Sequence, residues 1–302
     1  MATAYVEGSV RLAHLGILRF SGADALSFLQ GQVSSDTRRL AENVSLLSSY
    51  SSPQGRVLAL IYLLPHSSGV AAILPRELLR PTLERMRKFI LRAKVQIEDA
   101  GESLSVAGVH GEQTLRSAGL PAPADANGYL EHNGIGVARV SHDRNRFWLI
   151  GAASKLAELP GAADAASSDE WRLADIRAGL PQVYAATSEA FVAQMLNLDL
   201  LDGISFTKGC YTGQEIIART QHLGRIKRRL FRLLLPAGNW TVGQALHLSD
   251  GRQGRLTEVI DSGGRVEALA VLSIDSAGGD LSAGPAVAAT ELPLPYPHTP
   301  PV

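Results

Sequence analysis

Cysteine is almost absent. Cys210 is the only one in 302 residues, so the chain can form no disulfide with itself, and it cannot supply the thiolates of a structural zinc or iron–sulfur centre. The histidines do not compensate: His14, His66, His110, His132, His142, His222, His247 and His298 are scattered without paired ligand spacing, and no stably bound metal is expected. Long apolar runs are missing too. VLALIYLL (57–64) and GVAAIL (69–74) fall well short of the roughly 20 residues that cross a bilayer and read as buried strands, so no membrane association is expected. The N-terminal MATAYVEGSVRLAHLG lacks the basic-then-apolar pattern of a secretory signal, and a cytoplasmic protein is expected. Neither sign of charge is in excess. Twenty-nine basic residues balance 29 acidic ones, leaving no global field to attract nucleic acid or anionic lipid. P-loop and G-x-S-x-G signatures are absent, and GIG at 134–136 lacks the later glycine of a dinucleotide site.

What is present is a core-forming chain, 45% hydrophobic, with alternating helical and strand patterns. SGADALSFLQGQV (21–33) reads as a helix capped by Ser21 or Asp24. SPQGR (52–56) reads as a turn leading into a strand. RELLRPTLERMRKFILRAK (76–94) places Leu79, Leu83, Met86 and Ile90 on one helical face below a basic, solvated one. KVQIED, SLSVAGV, IGVARVS and RFWLIG read as short strands, the last two joined by the turn HDRN (142–145). EQTLRSAGL reads as a helix stopped at Gly119 and Pro121. LPGAADAASSDE (159–170) reads as a small-residue loop. EWRLADIRAGLP, stopped by Gly179 and Pro181, and SEAFVAQMLNL (188–198) read as helices. From Arg225 onward, short β-like runs separated by Gly, Asp and Ser predict a small all-β domain, barrel or sandwich, followed by the extended tail PLPYPHTPPV. The pattern is α+β, with helices covering mainly antiparallel sheet.

The cysteine sits in KGCYTGQE (208–215). Thr212 and Glu215 have the spacing of a capping box, which predicts a helix from Gly213 to Gly224 and places Cys210 just ahead of its N-terminus. There the helix dipole and the ammonium of Lys208 favour thiolate, and Gly209 leaves room for a ligand or partner to approach. Against this stands the common role of a lone cysteine as a small buried hydrophobe, with Glu215 serving only as a cap.

The run NLDLLDGISFTKGCYTGQEIIARTQHLGRIKRRL (197–230) closely resembles the signature of YgfZ-type folate-binding proteins, relatives of the aminomethyltransferase T-protein of the glycine cleavage system. SGADALSFLQGQVSSD, SPQGR and EWRLADIRAGLP agree in order, so the resemblance covers nearly the whole chain. It implies a GcvT/YgfZ-like folate-binding body over residues 1–224, an interrupted N-terminal domain plus a ferredoxin-like domain around a central channel. A small C-terminal β-barrel would occupy 225–302. It further implies an accessory factor that binds tetrahydrofolate or a one-carbon derivative. Such a factor assists assembly or repair of iron–sulfur clusters in selected client enzymes, including radical enzymes that modify tRNA.

By the same resemblance Cys210 is the key thiol, with Lys208 beside it, and Tyr211, Gln214, Glu215, Trp171, Arg177 and Leu15 are the implied folate contacts. Trp171 is the implied pterin wall, the alternative being a core filler. Arg177 stands where T-protein-like enzymes hold the pterin edge with glutamate, and Leu15 where some relatives have an aromatic residue. SPQGRVLAL lacks the aspartate that such enzymes use to activate the folate nitrogen, which speaks against the alternative of a one-carbon transferase or demethylase. A further alternative is direct tRNA contact through the basic cluster Arg225, Lys227, Arg228, Arg229 and Arg232.

Overall fold

The structure is a computed structural model and describes residues 8–140, 145–159, 166–222, 226–274 and 286–297. The chain divides into two compact units, one of residues 1–48 and 61–171, the other of 49–60 and 172–302. The boundary expected at 224/225 falls outside the described residues, as does most of the HDRN turn.

Two antiparallel sheets account for the first half of the chain. One contains β1 (Gly8–Arg11), β7 (Ser105–His110), β10 (Arg146–Gly151), β9 (Ile135–Arg139) and β8 (Tyr129–His132), in that spatial order. The other has the order β3 (Leu46–Ser51), β4 (Val57–His66), β5 (Gly69–Pro75), β2 (Leu15–Ser21) and β6 (Gln96–Asp99). The unit boundaries fall inside β3 and β4. Residues Ala107, Val109, Val137, Phe147 and Leu149 form the core of the first sheet. Leu115 of α3 (Glu112–Ser117) and Leu156 of α4 (Ala153–Ala157) complete it. The 76–94 pattern yields α2 (Arg76–Arg87), whose Leu79 lies against the bare Cα of Gly16; a Cβ there would sit 2.2 Å from Leu79 Cδ1.

Helix α1 (Ala25–Gln30) is shorter than 21–33, because Ser21 ends β2 and the Asp24 carboxylate accepts the Lys94 backbone N–H instead of capping its own helix. Helix α5 (Ala166–Ala178) begins inside the expected loop and stops at Gly179, whose φ of 67° ends it as predicted. SEAFVAQMLNL is not a helix. Only Ala193–Leu196 make a 3₁₀ turn, because Val192 is extended and bridged to Arg56, while Asn197 adopts a left-handed φ of 58°.

The C-terminal β region is a five-stranded antiparallel sheet ordered β12 (Ala245–His247), β13 (Gln253–Asp261), β14 (Val266–Ser273), β11 (Arg228–Leu235) and β15 (Thr290–Leu292). Among the described residues the expected barrel is not formed, since the sheet does not close. Leu248, beside one edge strand, makes a single bridge to Val287, three residues before the opposite edge strand, without completing a ladder. Among the described residues no helix is long and apolar enough to cross a membrane.

The cation cluster expected as an RNA contact is split: Arg229 and Arg232 are spent inside the protein, whereas Lys227 is exposed and Arg228 half-buried. Arg229 donates two hydrogen bonds to Asp199, at 2.7 and 2.8 Å, with side-chain exposures of 4% and 2%. Arg232 pairs with Glu267, and Arg225 lies outside the described residues. Asn197 anchors the Asp199 turn by bonding both the carbonyl and the N–H of Leu230. Removing one partner of a buried pair leaves an uncompensated charge. Asp199→Ala is therefore expected to destabilise the protein by about 3–5 kcal/mol in urea unfolding, whereas Glu84→Ala at the exposed Arg80 pair should leave the unfolding midpoint nearly unchanged.

Candidate functional site

The KGCYTGQE loop is built from backbone contacts outward. Gly213 has a φ of 82°, and a Cβ on it would lie 2.6 Å from the Ser52 carbonyl oxygen and 3.1 Å from Gly55 Cα. Gly55 in turn has a φ of 70°, and its added Cβ would meet Ile216 Cβ at 2.7 Å. The SPQGR turn is closed by Ser52 N–H to the Arg56 carbonyl and Gly55 N–H to the Ser52 carbonyl, both 2.8 Å. The two glycine turns thus pack backbone on backbone, and the motif loop rests on a rigid seat.

Helix α6 (Gln214–His222) starts one residue later than expected, because the left-handed Gly213 cannot be its first turn. The expected Thr212–Glu215 box is replaced by Gln214: its Oε1 accepts the Tyr211 N–H, and its own N–H donates to the Tyr211 carbonyl, both at 3.2 Å. Gln194 Nε2 donates to the Ile217 carbonyl at 2.7 Å, and Ile217 is fully buried, which fixes the helix from its inner side. The expected end at Gly224 lies outside the described residues.

Within this frame the side chains separate sharply. Lys208 is buried, its backbone N–H donates to Ser205 Oγ, and its ammonium lies 4.9 Å from the centre of the Tyr211 ring, a cation–π contact. Tyr211 is also buried, and burial pushes its phenol up to about 12. Cys210, between them, is exposed and free. That removes the buried-hydrophobe alternative. An added Cβ on Gly209 meets nothing within 4 Å, so the space beside the thiol is open, and Glu215 is exposed on the first turn of α6. Sequence alone singled out KGCYTGQE but missed SPQGR as its seat and Gln194 as its tie; the signal available was a glycine in each turn.

The other expected residues are placed differently. Trp171, in the first unit, is fully buried. The Arg146 guanidinium stacks 4.7 Å from its ring, the edge of His110 lies 5.3 Å away, and Gly108 leaves the space its ring fills, with an added Cβ at 2.3 Å. Leu15 is buried at the end of β2, opposite Pro75, and lines a cleft with Arg11, Arg76 and Val106. Arg177, in the second unit, donates through Nε and Nη2 to Glu267 at 3.1 and 2.7 Å. Burial raises the Glu267 carboxyl, but hydrogen bonds from Arg177 and Arg232 outweigh it and hold the group below its usual value. Nearby, the Arg172 guanidinium and the Tyr184 hydroxyl donate to the two oxygens of Glu258, both at 2.5 Å. Among the described residues no three of His, Cys, Asp and Glu come together as a metal ligand set.

The two glycines of the motif should respond oppositely. Gly213→Ala meets backbone atoms from a left-handed conformation and is expected to cost about 1–2 kcal/mol or more in urea unfolding, whereas Gly209→Ala should leave stability unchanged.

No family model matches the chain. The tRNA-modifying protein YgfZ of Hamiltonella defensa is 33% identical over 243 residues, 78% of this chain and 70% of that protein. Its namesake from an Enterobacter species is 34% identical over 262 residues, covering 83% and 79%, and that from Escherichia coli 32% over 247 residues, covering 80% and 76%. Among solved structures, the glycine cleavage system aminomethyltransferase T from Bartonella henselae superposes with a TM-score of 0.65 at 15% identity, over 88% of this chain and 78% of that one, a likeness of fold. With a third of its residues shared over most of both chains, this protein belongs to the family of the tRNA-modifying protein YgfZ.

Proposed function

We propose that this chain is an accessory factor in tRNA modification that serves iron–sulfur client enzymes, with tetrahydrofolate or a one-carbon derivative as its ligand and Cys210 as its working thiol. One observation supports this above the others: the sole thiol of the chain is exposed, on a loop whose neighbours Lys208 and Tyr211 are buried and whose backbone is seated on a second turn. A thiol presented in this way meets a partner without rearrangement of its own loop. The client's cluster is the substrate, reached in transient encounters.

Two of the residues expected to hold the folate do not fit that task. The Trp171 indole has no exposed face, and the Arg177 guanidinium is committed to Glu267. A transferase of the T-protein kind is less well supported, since the strand that follows SPQGR presents Val57, Leu58, Ala59 and Leu60 and no carboxylate.

Cys210→Ala alters an exposed side chain and is expected to leave urea unfolding unchanged while abolishing support of an iron–sulfur tRNA-modifying enzyme in cells deleted for the protein. Full complementation by that variant would remove the thiol from the function. In anaerobic calorimetric titration with tetrahydrofolate, wild type and Cys210→Ala are expected to bind saturably with equal affinity. Absence of binding by both would leave the family's fold without its folate.

A further inference from the structure

Guanidinium groups in this protein are commonly matched to carboxylates: Arg19 to Glu98, Arg38 to Asp36, Arg80 to Glu84, Arg139 to Glu112, and Arg252 to Asp250 and Glu291. The stretch RMRKFILRAK (85–94), at the end of α2, breaks that pattern with five cations and no acid. Arg87 is spent on the Ile97 carbonyl, to which its Nε and Nη2 donate. Arg85, Lys88, Arg92 and Lys94 make no ion pair among the described residues. Of the acids on neighbouring turns, Glu84 is hydrogen-bonded to Arg80 and also feels the charge of Lys88, and Asp24 accepts the Lys94 backbone N–H.

Two large apolar side chains project from the same stretch. Phe89 is 43% exposed and Leu91 87% exposed, although the apolar face of α2 formed by Leu78, Leu79 and Met86 is already buried. They do not belong to a frayed end. Backbone bonds from Lys88 to Arg85, Phe89 to Met86, Ile90 to Arg87 and Leu91 to Phe89, all 3.0–3.2 Å, wind the chain into a tight turn. An ordered turn that holds an aromatic ring in water amid unmatched cations suits a polyanion carrying flat apolar faces. We propose that Arg85–Lys94 is a contact surface for single-stranded nucleic acid, the unpaired loop of an RNA included. Arg85, Lys88, Arg92 and Lys94 meet phosphates, and Phe89 stacks on an unpaired base. An anionic membrane fits less well, because the exposed apolar surface is two side chains on a turn and not a helix-long face. Among the described residues this surface carries more unpaired cations than the 225–232 cluster, where Arg229 and Arg232 are internally paired and Lys227 and Arg228 are not, and it goes beyond the thiol function.

The test is fluorescence anisotropy of the full-length protein with a labelled single-stranded RNA of about 15 nucleotides. Saturable binding is expected, weakening about 50-fold between about 50 and about 200 mM salt if four phosphates are neutralised. The triple variant K88Q/R92Q/K94Q should bind more weakly with a salt slope near that of one phosphate. Phe89→Ala should lose about tenfold in affinity with the slope kept. All four side chains are exposed, so thermal unfolding should be unaffected. Absence of saturable binding at about 50 mM salt, or a triple variant with wild-type affinity and slope, would overturn the proposal. So would sedimentation with phosphatidylglycerol–phosphatidylcholine vesicles by a protein that leaves the RNA unshifted.

Discussion

Two chain turns meet here with no side chain between them, and the presentation of Cys210 depends on that contact. A Cβ on Gly213 would have to occupy the place of the Ser52 carbonyl, and a Cβ on Gly55 that of Ile216. Because both positions are left-handed glycines, the loop before α6 is held by atoms that cannot rotate away. Lys208 and Tyr211 turn inward and close on one another, and Cys210 takes the side that faces water. Exposure of the thiol is thus a consequence of how tightly its neighbours are bound.

The second unit relies on buried charge as well as apolar packing. From α5, Arg172 reaches Glu258 on β13 and Arg177 reaches Glu267 on β14, while Arg229 of β11 is held by Asp199. Buried pairs contribute less through attraction than through the penalty for any arrangement that leaves one partner alone, so they act as registers between elements. Several arginines of the chain are matched to carboxylates in this way, whereas Arg85, Lys88, Arg92 and Lys94 of the 85–94 stretch make no ion pair among the described residues.

Local signals were legible wherever a single residue carried the physics. Gly179 stops α5 because only glycine takes its conformation easily, and the KGCYTGQE loop was recognisable by its glycines and its helix start, though the cap turned out to be Gln214. Where the deciding partner lies far along the chain, the pattern misled. SEAFVAQMLNL has helical spacing, but Val192 is claimed by a bridge to Arg56, nearly 140 residues earlier, and backbone partners outweigh periodicity. Strand β1 escaped notice because its pairing partner, β7, is about 100 residues away.

By itself the sequence determined the family, the mainly antiparallel α+β composition, the helix stop at Gly179 and the identity of the one thiol, because these follow from residue types and short spacings. Only the tertiary structure decided that the thiol faces water, that Trp171 fills the space above Gly108, and that Arg177 and Arg229 are spent on Glu267 and Asp199. The physical reason is the same in each case. Whether an ionic or aromatic side chain is available to a ligand depends on which distant group reaches it first, and local sequence does not carry that information.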